Sequence, residues 1–214
     1  MLGYLPIGFA FGVLASSAGI SPGEATAMSV LVFAGSAQLV AVQLLGSAAG
    51  AATLVITVFL INLRHLLMSA SLAPFLSRLK SWQQALFCFQ LTDETFAVHS
   101  TVFRSQGVPS TVSLFAVNVS AHLAWIASSF LGAWVGHGLT LDTAVLGLDY
   151  ALPAMFIALL VLQLQDLRRG LIALLAAGFS LFFFLAGLGH WHIILATVAA
   201  STAGLFLFPE RSEE

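Results

Sequence analysis

The chain has 214 residues, of which 59% are hydrophobic and only 7% are charged, and its mean hydropathy is +1.01. Soluble domains carry about 25% charged residues, so this composition indicates an integral membrane protein. The net charge is −2 and the few lysines and arginines are scattered, which excludes a basic surface for nucleic acid. The single cysteine, Cys88, excludes a disulfide framework.

Apolar runs long enough to cross a bilayer as helices recur along the whole chain. A spanning helix needs about 20 apolar residues, so we predict an all-α polytopic bundle of about seven spans, within a range of about six to eight. We expect one transmembrane domain over residues 1–208 and a short tail at residues 209–214. The predicted segments cover roughly residues 4–19, 25–45, 51–75, 84–103, 111–135, 150–164, 171–188 and 193–208.

The first two segments carry local signals of packing and capping. Gly8 and Gly12 have the small-xxx-small spacing that is typical of membrane helices in close contact. Ser21 is followed by Pro22 and then by Glu24, which predicts a capped start for the second helix.

The second segment is interrupted by small and polar residues, Phe33-Ala-Gly-Ser-Ala-Gln38. A helix that breaks at Gly35 and Ser36 would expose backbone dipoles near the middle of the bilayer, a device used at binding sites within membranes. The spacing is equally compatible with an unbroken helix in which Gly35 is a packing notch. In either case Gln38 needs hydrogen-bond partners inside the protein.

The third segment contains the polar stretch Asn62-Leu-Arg-His65 between two apolar runs. A guanidinium keeps its proton, and an arginine at the bilayer centre costs about 2.5–3.5 kcal/mol on insertion scales. We therefore expect Arg64 to face an acidic partner in a polar cavity. The alternative is that Arg64 lies at a helix end and extends to the lipid headgroups.

The fourth segment contains Asp93 and Glu94, the only acidic pair with apolar sequence on both sides. We infer that this pair meets Arg64 inside the protein and that the helix is broken or re-entrant near it. The alternative is that one or both carboxylates lie at a helix end and face water.

The fifth segment carries a polar stripe at helical spacing, with Thr111, Asn118, His122, Trp125 and Ser129 on one side. Such a stripe is expected to turn toward protein or a water-filled cavity. His122 is then either a hydrogen-bonded structural group or a carrier of protons.

The lysine and arginine bias predicts which side of the membrane the loops face. Arg168 and Arg169 precede the seventh segment and Arg211 follows the eighth, whereas Gly189–His192 between those segments has neither residue type. We therefore expect a cytoplasmic C-terminus. The sequences Tyr4–Phe9 and Tyr150–Phe156 start alike, which is a weak signal of an inverted repeat.

No nucleotide-binding, zinc-protease or serine-elbow motif is present, and we expect neither a cofactor nor a metal site. Work across the membrane would then come from an ion gradient, the membrane potential or a solute gradient.

Five motifs, in this order, resemble the AzlC family, which is the large subunit of two-component branched-chain amino acid exporters. The motifs are Pro6-Ile-Gly-Phe-Ala-Phe-Gly12, Ser29-Val-Leu-Val-Phe-Ala-Gly-Ser-Ala-Gln38, Asn62-Leu-Arg-His65, Leu91-Thr-Asp-Glu-Thr-Phe-Ala97 and Leu152-Pro-Ala-Met-Phe156. The resemblance implies a bacterial inner-membrane protein, not an enzyme, that exports leucine, isoleucine, valine and often methionine. It also implies a partner, a small AzlD-type membrane subunit of about four helices.

An aliphatic zwitterion needs an anion site, a cation site and an apolar pocket. We expect its carboxylate at Arg64 or at the backbone amides of Gly35 and Ser36, and its ammonium at Asp93 or Glu94. Gln38 and Asn62 would support these groups and Phe33 would contact the side chain. The candidates for proton coupling are His65, Asp93, Glu94 and His122. The rival functions are an ion or small-solute channel and an intramembrane hydrolase using Ser36.

Overall fold

A computed structural model of the chain describes residues 3–139, 147, 150–164, 166–187 and 191–207. Within these ranges the chain contains ten α-helices, a short 3₁₀ turn at Ala73–Leu76 and no strand, which confirms the predicted all-α membrane fold. The helices are α1 (Tyr4–Ser17), α2 (Pro22–Leu31), α3 (Gly35–Gly46), α4 (Ala51–Leu72), α5 (Ser81–Phe89), α6 (Asp93–Gln106), α7 (Thr111–Gly138), α8 (Ala151–Gln163), α9 (Leu167–Leu185) and α10 (Trp191–Leu207).

In the described part of the chain, three helical stretches are each long and apolar enough to cross a bilayer. They are Ala51–Leu76, Thr111–Gly138 and Leu167–Leu185, with mean hydropathies of 1.8, 1.5 and 1.6. The helices Tyr4–Ser17, Gly35–Gly46 and Leu195–Leu207 are apolar but shorter. The predicted range of about six to eight spans stays a prediction, because several spans would have to combine short helices.

The second and fourth predicted segments are both broken. The second divides between α2 and α3 at Val32-Phe33-Ala34, so the alternative of an unbroken helix is wrong. The fourth divides between α5 and α6 at Gln90-Leu91-Thr92, directly before the acidic pair. Each break places the amino end of a helix, rather than a lipid-facing helical wall, next to the polar residues that the sequence singled out.

Local side-chain chemistry explains where α2 and α6 begin. Ser21 and Glu24 form a reciprocal capping box at the start of α2, as predicted, with Pro22 at the first helical position. Thr92 accepts a hydrogen bond from the Thr95 backbone amide, and the Thr95 hydroxyl accepts one from the Thr92 amide. Asp93 therefore stands at the first position of α6 because Thr92 caps that helix.

The chain divides into two compact units, Met1–Met155 and Phe156–Glu214. In the first, α1 packs along α7 and also contacts α2 and α3. Gly8, Gly12 and Gly132 permit the close approach of α1 to α7: a Cβ added to Gly12 would lie 2.2 Å from the Ser129 carbonyl oxygen. The small-xxx-small spacing of α1 thus serves helix packing, as expected.

In the second unit, α9 packs against α10, and Asp166 caps the start of α9. This cap starts the helix at Leu167, about one turn earlier than the predicted segment. The single domain expected over residues 1–208 and the inverted repeat both stay predictions. The tail at 209–214 lies outside the described residues, as do the side chains of Leu152 and Met155 in the second copy of the repeat.

Candidate functional site

Arg64 joins the two helix breaks. Its Nη1 forms an ion pair with Oδ2 of Asp93 at 2.5 Å, and its Nη2 donates a hydrogen bond to the Ser36 hydroxyl. Arg64 lies on α4, Ser36 in the first turn of α3 and Asp93 at the start of α6. The expected meeting of the intramembrane arginine with an acid of the fourth segment is therefore present, and both side chains are largely buried, at 24% and 16% exposure.

The acidic pair does lie at a helix end, as the alternative interpretation required, but neither carboxylate is fully exposed to solvent. Asp93 forms an ion pair with Arg64, whereas neither of the two ion pairs in the described part of the chain involves Glu94. The site thus holds one cation and two acids, with one acid left over after the ion pair.

The amino ends of α3 and α6 differ in how their positive dipole ends are compensated. At α6, Asp93 and Glu94 stand in the first turn, where carboxylates are stabilised by the helix dipole. At α3, the capping position is Ala34, which provides no side-chain hydrogen bond, and the first turn holds no acid. The start of α3, next to Arg64, is therefore the part of the site that favours an anion.

These groups line a small cavity with a polar part and an apolar part. Ser36, Arg64, His65, Thr92, Asp93 and Glu94 line the polar part, and Tyr4, Ile7, Phe33, Ala34, Gly35 and Trp125 line most of the remainder. The open space of about 20 Å³ is enough for roughly one water molecule, far less than an amino acid requires. An amino acid can therefore enter this site only if the lining side chains move apart.

Helix α4 carries hydrogen-bonding capacity that the described part of the protein does not use. Within the described ranges, three buried atoms of α4 have no hydrogen-bond partner: Oδ1 of Asn62, Nε of Arg64 and Nε2 of His65. Buried polar atoms in native proteins are normally paired. Two of these residues, Arg64 and His65, line the cavity.

A second polar network lies behind the cavity wall. The indole Nε1 of Trp125 donates to Oε1 of Gln38 at 3.0 Å, and Nε2 of Gln38 donates to the Ser29 hydroxyl at 3.3 Å. The Ser29 carbonyl accepts a hydrogen bond from Nε2 of His122 at 3.0 Å, and the His122 ring stacks on Phe33 with centroids 4.3 Å apart. The network connects α2, α3 and α7 and includes two of the three aromatic side chains of the wall, Phe33 and Trp125.

A family model described as AzlC protein matches residues 1–139, which is more than half of the chain and includes the whole cavity. The chain belongs to the AzlC family.

Curated relatives of this AzlC-family chain are membrane proteins. An uncharacterized membrane protein of Helicobacter pylori strain J99 is 33% identical over 162 residues, 76% of this chain and 70% of that protein. The inner membrane protein YgaZ of Escherichia coli strain K12 is 30% identical over 208 residues, 95% and 83% of the two chains. A Bacillus subtilis strain 168 protein named branched-chain amino acid transport protein AzlC is 28% identical over 197 residues, 92% and 76%. No solved structure gives a significant match. Family and relatives together support a membrane transporter.

Most site residues expected from the sequence of this AzlC-family member line the cavity: Phe33, Gly35, Ser36, Arg64, His65, Asp93 and Glu94. Three others do not line it. Gln38 and His122 belong to the network behind the wall, and Asn62 lies two residues before Arg64 on α4. The roles expected for all of these residues stay predictions.

Six lining residues were not predicted as site residues: Gly3, Tyr4, Ile7, Ala34, Thr92 and Trp125. Tyr4 and Thr92 are hydrogen-bonded to each other through their hydroxyls, and Trp125 forms part of the apolar wall. Thr92 carried a usable signal, since a threonine directly before an acidic pair is a typical helix cap. Trp125 stood in the polar stripe predicted for α7. Four members of the stripe, Asn118, His122, Trp125 and Ser129, are buried, and the fifth, Thr111 at the start of the helix, is partly buried.

Outside the cavity, α6 and α7 are joined by a buried pair that the sequence did not reveal. Nε2 of His99 lies 2.7 Å from Oδ1 of Asn118, and the His99 ring contacts Phe87 and Phe103. Asn118, one member of the polar stripe, therefore makes a structural contact between α6 and α7.

Proposed function

We propose that the chain is a secondary transporter that exports leucine, isoleucine, valine and methionine. The observation that carries the proposal is a cavity at two helix breaks with paired opposite charges in one part and an apolar wall in the other. An aliphatic amino acid has that chemistry, with two opposite charges on one carbon and a short apolar side chain. The name of the Bacillus subtilis relative supports the same substrate class.

Binding would proceed by exchange of charges. The substrate carboxylate takes the place of Asp93 at Arg64 and meets the uncapped amino end of α3. The substrate ammonium takes the place of Arg64 at Asp93, and the side chain meets Phe33, Ile7 and Trp125. Removing one partner from a buried ion pair costs about 3–5 kcal/mol, whereas a zwitterion supplies both replacements at once.

Glu94 is the first candidate for coupling to protons, because it lines the cavity but does not pair with Arg64. Asp93, His65 and His122 are the other candidates, of which His122 lies behind the wall. Proton entry or charge movement would supply the driving force, since one elementary charge crossing 100 mV is worth about 2.3 kcal/mol.

The resemblance to AzlC supports a two-component permease in which a small AzlD-type membrane protein is the partner. The names of the relatives, among them the Escherichia coli inner membrane protein YgaZ, support a bacterial inner-membrane protein. The arginine bias around α9 and the tail supports a cytoplasmic C-terminus.

The deciding experiment expresses the chain with the small membrane protein encoded beside it and measures efflux of labelled leucine and methionine. We expect saturable efflux, counterflow in proteoliposomes, and loss of at least nine-tenths of the rate in Arg64→Gln. Arg104→Gln is the matched control, because Arg104 is exposed near the end of α6.

Full efflux in Arg64→Gln would contradict the proposed binding site. Ohmic conductance without counterflow would instead favour a channel.

A further inference from the structure

We propose that Trp125 sets the upper size of the substrate side chain, and that Gln38 is a positioning residue that holds the indole in place. The inference rests on the proposed function, since it assigns the specificity of the same cavity. It is carried by contacts that confine the indole and by the position of Gln38 outside the cavity.

The indole of Trp125 is confined on several sides. Trp125 is 2% exposed, stacks on Phe11 with centroids 5.9 Å apart, and meets Tyr4 edge-on at 6.4 Å. Its six-membered ring occupies the space where a side chain at Gly35 would stand, since a Cβ added there would lie 2.8 Å from Cη2. These contacts oppose rotation of the ring to make room for a larger ligand.

Gln38 connects the indole to both halves of the broken helix. It is 2% exposed, accepts the Trp125 N–H through Oε1 and donates to Ser29 of α2 through Nε2. Both ends of its amide are therefore used. If the acceptor is removed, the indole N–H is buried without a partner, and it can regain one only by shifting the ring.

The first turn of α3, directly after the break between α2 and α3, lies between the indole and the charged groups. Gly35 accommodates the ring, and the next residue, Ser36, binds Arg64 through its hydroxyl. Gly35, which lies against the indole, and Ser36, which binds Arg64, are thus consecutive residues of α3. A zwitterion held at Arg64 and Asp93 would therefore place its side chain against the indole, and we expect this wall to admit a branched aliphatic group more readily than an aromatic one.

The test measures efflux of leucine and of phenylalanine from cells that express the chain with its small partner. In Trp125→Leu the ratio of leucine to phenylalanine efflux should fall at least tenfold, because the wall recedes. Trp125→Phe removes less of the wall and should lower the ratio by a smaller factor; it replaces Trp125→Leu in the test if that variant fails to fold. Trp134→Leu is the matched control, since Trp134 lies on the same helix with 62% exposure.

The positioning role has its own readout. Gln38→Leu should lower the same ratio at least threefold, and Gln38→Glu, which keeps an acceptor, should restore most of it. In a chain whose other tryptophans, Trp82, Trp134 and Trp191, are changed to phenylalanine, Gln38→Leu should also shift the Trp125 fluorescence emission. Gln43→Leu, at an exposed position of α3, should leave both readouts unchanged.

The outcomes distinguish the size limit at Trp125 and the positioning role of Gln38 from the proposed transport function. Efficient leucine efflux with an unchanged ratio in both Trp125 variants would overturn the size limit. An unchanged emission spectrum in Gln38→Leu would overturn the positioning role whether or not the chain transports leucine. Absence of leucine efflux in the unmodified pair would overturn the proposed function and, with it, the specificity assigned to Trp125.

Discussion

Arg64 and Asp93 form an ion pair at the cavity, so each is already paired with a charge of the kind that an amino acid would bring. The sequence allowed this pair to be predicted because a permanent cation within an apolar span requires a partner, and few acids were available. It did not distinguish Asp93 from Glu94. In the structure, the cap at Thr92 starts α6 at Asp93, and it is Asp93 that pairs with the arginine.

Exchange of the ion pair predicts that the ligand must carry both charges. Leucine should compete for transport at least tenfold better than 3-methylbutylamine, which lacks the carboxylate, or 4-methylpentanoate, which lacks the ammonium. Each analogue would leave one partner of the buried pair without a counter-charge. Competition against labelled leucine in proteoliposomes measures the three affinities.

Asp93→Asn provides the internal control for this prediction. Arg64 then no longer has its carboxylate partner, so 4-methylpentanoate should gain relative to leucine while the amine does not. Equal competition by all three compounds in the unmodified chain would show that the ion pair stays intact during binding.

A Glu94 variant tests whether substrate binding and proton coupling use different acids. In Glu94→Gln we expect leucine counterflow at about the normal rate, because that exchange needs only Arg64 and Asp93. Net efflux driven by an imposed pH gradient should fall about tenfold or more, because the group that exchanges the proton is gone. Measuring both modes in one liposome preparation tests the split; a parallel loss of both would assign Glu94 to binding instead.

At the scale of helices, local signals were sufficient to predict the breaks but not what the breaks contact. Gly35, Ser36 and the Thr92-Asp93-Glu94 run are signals that can be read from a few neighbouring residues. The contact of Trp125 with Gly35 and Gln38 joins residues far apart in the chain, and no spacing rule reveals it. For the same reason the pairing of His99 with Asn118 was not foreseen.

The close contact of α1 with α7 predicts that adding one methyl group at Gly12 lowers the stability of the protein. Gly12→Ala would place its Cβ 2.2 Å from a backbone oxygen of α7, so the helices must separate. Overpacking of this kind destabilises by about 1–3 kcal/mol, which should lower the melting temperature in detergent by several degrees. Gly178→Ala is the control, since nothing lies within 4 Å of its added Cβ. Equal melting temperatures for the two variants would contradict this packing.

At the scale of the whole molecule, the charge bias makes a prediction that is independent of the cavity. Arg168 and Arg169 flank the start of α9, and Arg211 lies in the tail, so both ends of the α9–α10 pair should face the cytoplasm. The segment Gly189–His192 should face the other side.

Thiol labelling checks the predicted orientation in a chain where Cys88→Ser removes the native cysteine. Leu167→Cys and Ser212→Cys should resist a membrane-impermeant maleimide in intact cells and react once the cells are permeabilised. Gly189→Cys should react in intact cells, because an odd number of crossings separates it from the other two positions. Labelling of Ser212→Cys in intact cells would reverse the orientation, and protection of all three positions would mean that α9 and α10 do not both cross. The second outcome bears on the whole fold, since α9 is one of three helices in the described chain long enough to span the bilayer alone.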